Sequence, residues 1–158
     1  MIVPALTRDI LLACCGSRRW ADEMLAAQPF EDMEDLHANA DAIWWSLAEA
    51  DWVQAFSSHP KIGERPDDHG ASSEWSRQEQ ARAADGGPEL SRALARLNAE
   101  YQTRFGFIFI VCASGKSARD IVSALESRMG NTKADEMRIA AGEQAKIMHL
   151  RLDKLFKE

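Results

Sequence analysis

The sequence predicts an all-α fold, a compact single-domain bundle of about seven or eight helices, on three observations. Apolar residues recur at helical spacing along most of the chain. Serine, threonine or aspartate precede several of these runs and glycine or proline follow them, which are the start and stop signals of helices. The one β-like run, Phe107–Cys112, has no second strand to pair with. A chain of 158 residues is expected to form one domain, 1–158, large enough to bury a core without staples.

Thr7 precedes a short apolar stretch that ends at Gly16. Ser17 caps a second helix through Trp20, Met24 and Ala27, which Pro29 stops. Between Glu31 and Ala50, the residues Leu36, Ala40, Ile43 and Leu47 fall on one helical face. Asp51 caps a short turn through Phe56, and Trp44, Trp45 and Trp52 read as core and packing residues. Residues 57–73 break the pattern with prolines, glycines and charges, a long loop of the kind that often carries function. Ser73 caps the next helix, to Ala84, and Asp85-Gly86-Gly87 ends it. Pro88 suits the first turn of another helix, with Leu90, Leu94, Leu97 and Tyr101 at helical spacing and Gly106 as its stop. Phe107–Cys112 is expected to be a buried extended segment or a distorted helix. Ser117 caps a helix carrying Ile121, Leu125 and Met129, stopped by Gly130. Thr132 with Asp135 resembles a capping box. It opens a last helix through Met137, Ala141, Ala145, Met148, Leu152 and Leu155.

Composition narrows the function classes. A net charge of −6, without a Lys/Arg cluster, argues against a nucleic-acid partner. It leaves room for an anionic substrate held by one well-placed arginine. Three cysteines, with Cys14 and Cys15 adjacent and no CxxC, argue against a disulfide framework and suit a reducing cytoplasm. Buried, inert thiols are the expectation for all three. The longest apolar run, Phe105–Ala113, falls well short of the ~20 residues of a membrane helix, so no membrane partner is expected. No signal peptide or peroxisomal address is expected either. Gly115-Lys116-Ser117 lacks the upstream glycine of a phosphate loop, since position 110 is Ile.

Three places could carry chemistry. His59 precedes Pro60, which pushes its backbone toward an extended form, and Gly63 permits a tight turn beyond. A histidine so held suits general acid–base work, and equally suits a surface or capping role. Ser76, Glu79 and Gln80 stand at i, i+3 and i+4, a polar face that either lines a pocket for a polar heterocycle or is simply solvated. Arg151 could grip a carboxylate through two hydrogen bonds or merely favour a helix C-terminus. His59, Asp67, Asp68 and His69 lie close in sequence but lack the spacing of a metal motif, so no metal is expected.

Taken together, Cys15-Gly16-Ser17-Arg18-Arg19-Trp20, Pro29-Phe30, Asp51-Trp52 with Phe56, His59-Pro60-Lys61-Ile62-Gly63 and Glu79-Gln80 form a recognisable series. Phe105-Gly106-Phe107 leading into Phe109–Ala113, then Lys146-Ile147 and Arg151-Leu152, complete it. In this order and spacing the chain resembles the 2-oxo-4-hydroxy-4-carboxy-5-ureidoimidazoline (OHCU) decarboxylase family along nearly its whole length. The resemblance implies a cofactor-free, all-helical homodimer acting on a small-molecule substrate in urate breakdown. It implies His59, Glu79 and Arg151 as catalytic residues. It implies substrate contacts from Pro60, Ser76, Gln80 and the backbone of Phe109, Ile110, Val111, Cys112 and Ala113. One departure is Gln28, where the family often has arginine before the Pro-Phe pair. Competing expectations are a metal-dependent hydrolase using His59 and His69, and a helical interaction module without catalysis.

Overall fold

A computed structural model describes residues 2–59, 75 and 87–156. Among these there are seven helices and no strands. They are α1 (Arg8–Cys14), α2 (Arg18–Ala27), α3 (Met33–Ser46), α4 (Glu49–Ser57), α5 (Gly87–Phe105), α6 (Ala118–Arg128) and α7 (Lys133–Lys154). They divide between two compact units, one of Met1–Ser58 with Ala145–Glu158 and one of His59–Gln144.

In the first unit the caps follow the sequence. The hydroxyls of Thr7 and Ser17 accept from the N–H groups of Ile10 and Trp20, each at 3.2 Å. Asp32, at the start of α3, accepts from Asp35 N–H at 2.8 Å. Leu11, Trp20, Met24, Leu36, Trp44 and Phe56 are fully buried. Two of the buried indoles donate to backbone carbonyls: Trp20 Nε1 to Ala40 O at 3.1 Å and Trp52 Nε1 to Trp44 O at 2.9 Å. The α1–α2 turn needs glycine, because a Cβ on Gly16 would lie 2.4 Å from Ser58 Oγ. Gln28 uses its amide to hold Leu6, accepting from its N–H at 2.6 Å and donating to its carbonyl at 3.0 Å.

Three expectations are corrected here. The buried line of α3 is Leu36, Ala40 and Trp44, spaced by four, and Ile43 is only half-buried. Trp45 is 46% exposed and meets Trp52 edge-on rather than entering the core. Asp51 does not cap α4. It lies in the first turn, where its carboxylate accepts from Ala48 N–H at 3.3 Å, so the break falls at Leu47-Ala48.

A polar cluster ties α3 to the end of α7 within this unit. His37 Nε2 lies 2.7 Å from Asp153 Oδ1, and His149 Nε2 lies 2.7 Å from Asp41 Oδ1. The two Nδ1 atoms face each other at 2.5 Å. With both outer N–H groups given to carboxylates, that inner contact is attractive when one proton lies between the rings.

The second unit is built on α5, α6 and the first part of α7. Gly106 ends α5 at φ +84, its N–H reaching Gln102 O at 2.8 Å. Phe107–Ala113 then forms neither helix nor strand, its core residues buried. Lacking a neighbouring strand, its backbone is paired by side chains. Arg128 Nη1 donates to Ile110 O at 2.7 Å, Cys112 N–H donates to Glu143 Oε1 at 3.0 Å, and Lys116 Nζ donates to Cys112 O at 2.8 Å. Ser117 and Asp120 form the capping box of α6.

The buried face of α6 includes Arg128, while Met129, expected there, is half-buried at the helix end. Glu136 on α7, fully buried, is the reason. Its carboxylate accepts from Tyr101 Oη, from Arg128 and, at 3.1 Å, from Asn131 Nδ2. Arg128 also lies over the Phe109 ring, 4.5 Å from its centre.

Candidate active site

The site is anchored at the end of α4. Ser58 closes that helix, its Oγ donating to Ala55 O at 2.7 Å, and His59 follows, half-buried. The imidazole is oriented by a residue the sequence pattern passed over. His59 Nε2 lies 2.7 Å from Oε1 of Gln144, which is fully buried on α7. A ring N–H donates to an amide oxygen, so this contact places a proton on Nε2. The amide's other end is less well served. Gln144 Nε2 is buried and has no hydrogen-bond acceptor among the described residues. A buried donor left unpaired costs roughly 1–3 kcal/mol, and native structures keep few of them.

The same unit holds the Phe109–Ala113 segment. The side-chain bonds from Arg128, Glu143 and Lys116 fix Ile110 and Cys112, and Ala113 O accepts from Lys116 N–H at 3.0 Å. None of these bonds uses the N–H or C=O of Val111.

Arg151 belongs to the other unit. It is 2% exposed, so it is not the surface arginine that a helix C-terminus alone would suggest. Its Nη1 donates to Ala13 O at 2.8 Å, beside the cysteine pair. Burial pushes the thiols of Cys14 and Cys15 up to about 12, and the positive charge of Arg151 only partly opposes this. The raised values keep these two thiols protonated at neutral pH, and all three cysteines are buried outside any disulfide.

Of the other expected site residues, Pro60, Ser76, Glu79 and Gln80 lie outside the described residues, as do Asp67, Asp68 and His69. The described residues contain no group of three or more His, Cys, Asp or Glu side chains arranged to hold a metal ion. None of the described helices is long and apolar enough to cross a membrane. One signal could have found Gln144. It is a lone amide on the apolar stripe of α7, between Ala141 and Met148 and level with Ala145.

Comparison with known proteins gives a consistent result. A family model described as OHCU decarboxylase matches residues 4–153. The uric acid degradation bifunctional protein TTL of Arabidopsis thaliana is 39% identical over 150 residues, 92% of this chain, which spans 46% of that protein's length. The 2-oxo-4-hydroxy-4-carboxy-5-ureidoimidazoline decarboxylase of Amia calva is 34% identical over 136 residues, 84% of this chain and 77% of that one. Among solved structures, a crystal structure of OHCU decarboxylase in the presence of (S)-allantoin superposes with a TM-score of 0.84 at 35% identity. That match covers 97% of this chain and 100% of the other.

Proposed function

The chain belongs to the OHCU decarboxylase family, and from that premise we propose that it converts 2-oxo-4-hydroxy-4-carboxy-5-ureidoimidazoline to (S)-allantoin and CO2 in urate degradation. The observation that carries this reading is the end-to-end likeness to the OHCU decarboxylase structure with (S)-allantoin, 97% of this chain against 100% of that one. The buried amide that orients His59 supports it locally.

The substrate's own chemistry explains why so few protein groups are needed. Its carboxylate sits on a carbon bonded to a ring imine carbon. When the carbon–carboxylate bond breaks, CO2 leaves and the electron pair moves toward the imine nitrogen, which takes up a proton. The former imine carbon then accepts a proton on one face, and the neighbouring hydroxyl becomes the carbonyl of allantoin. No external electron sink is required, so the protein orients, polarises and protonates. In this proposal His59 donates or relays the proton. Arg151 holds a charged or polar end of the substrate, and Glu79 and Gln80 fix its hydroxyl and ureido groups. Pro60, Ser76 and the backbone of Phe109–Ala113 shape the pocket. The proposal includes a homodimer in the cytoplasm, working without a cofactor.

The test is circular dichroism at an allantoin band, using freshly generated product of urate oxidation as substrate. Rapid appearance of optically active allantoin is expected on adding the protein. Only the slow, racemic product of the uncatalysed reaction would reject the reading.

A further inference from the structure

Gln144 combines three properties that a purely structural glutamine does not need. It is fully buried, its Oε1 lies 2.7 Å from His59 Nε2, and its Nε2 lacks an acceptor among the described residues. An apolar side chain would fill the stripe between Ala141 and Met148 without leaving a donor unpaired. A carboxylate at this position would pair ionically with the imidazolium and hold its proton back from transfer. A neutral amide instead fixes the ring and leaves the proton mobile. It also offers two N–H donors at the far end, beside the histidine.

We propose that Gln144 is a positioning and substrate-orienting residue, whose carbonyl keeps His59 protonated at Nε2 and whose amide N–H donates to an oxygen of the bound substrate. The acceptor is a carboxylate, carbonyl or hydroxyl oxygen of an oxygen-rich heterocycle. The amide thereby sets the distance between the proton donor and the atom that receives the proton. The inference rests on the decarboxylase reading for its substrate half and on geometry alone for its histidine half.

Two substitutions separate the halves. Gln144→Glu keeps an oxygen toward His59 and removes the N–H donor; Gln144→Met removes both. Nitrogen NMR of the histidine-labelled protein, in a long-range proton–nitrogen experiment, reads the tautomer. Wild type and Gln144→Glu are expected to show His59 protonated at Nε2, and Gln144→Met a mixture of tautomers. Both variants are expected to raise KM and lower kcat, Gln144→Glu because its carboxylate holds the imidazolium proton back and Gln144→Met because the ring is no longer oriented, so the tautomer is the readout that tells them apart. Each loss is about 10- to 100-fold, with melting temperatures that show folded protein. Wild-type His59 unprotonated at Nε2, or a folded Gln144→Met with unchanged kcat and KM, would overturn the proposal. Should wild-type protein fail to turn over the substrate, the decarboxylase reading falls and the substrate half with it; the tautomer still decides the histidine half.

Discussion

Cys14 and Cys15 are adjacent, free and buried, and their surroundings determine how the protein responds to alkali. Both thiols are pushed from 9.0 up to about 12, first by burial and only weakly countered by Arg151. A raised value means the folded protein keeps protons that the unfolded chain has already lost. Stability from these groups is therefore fully present below pH 9 and is lost as pH rises toward 12. Tyr101 is shifted upward too, by burial and then by the hydrogen bond to Glu136, and acts in the same direction. We expect the melting temperature to fall steeply across this window and less steeply in Cys14→Ala/Cys15→Ala; a titration with identical slopes would contradict the assignment. At this scale the caps at Thr7, Ser17 and Ser117 were legible, because capping is a local bargain between neighbouring residues. Arg128 and Gln144 were not. Each is a polar residue on an apolar face, and only a partner outside its own helix, Glu136 or His59, makes burial tolerable.

At the scale of elements, the turn between α1 and α2 bears on the site. Gly16 packs against Ser58, the residue that closes α4 immediately before His59. A methyl group there would meet both Ser58 Oγ at 2.4 Å and Ser58 Cβ at 2.5 Å, and Cβ cannot swing aside. Gly16→Ala should destabilise the protein by about 1–3 kcal/mol, as overpacking does, visible as a lower urea midpoint. An unchanged midpoint would show that the two segments separate freely. The Phe107–Ala113 segment shows why helix boundaries were easier to read than irregular structure. Its apolar, β-branched composition correctly announced burial without a strand partner. What replaced the missing strand was scattered: Arg128, Glu143 and Lys116 come from different parts of the sequence. The face of α3 was misread at Ile43 for a related reason. Helical spacing admits both i+3 and i+4 steps, and packing chose the line through Trp44.

For the whole molecule, the all-α class followed from periodicity and caps, and the family from short segments kept in order from Cys15 to Leu152, a reading that the family match over residues 4–153 bears out. The chemistry was less accessible. Residue types at His59 and Arg151 permitted an active site but equally permitted surface roles; burial of Arg151 and the amide contact at His59 argue against the surface roles, and the catalytic roles are proposed from the resemblance. The central claim is that His59 moves the proton that makes the reaction stereospecific. A positioned general acid is worth about 10²–10⁴-fold. The direct test is the dichroic turnover assay on His59→Asn, run beside far-ultraviolet dichroism and a melting curve. The account predicts intact folding with stereospecific turnover reduced by about 10²-fold or more. A folded His59→Asn protein that forms optically active allantoin at the wild-type rate would contradict it.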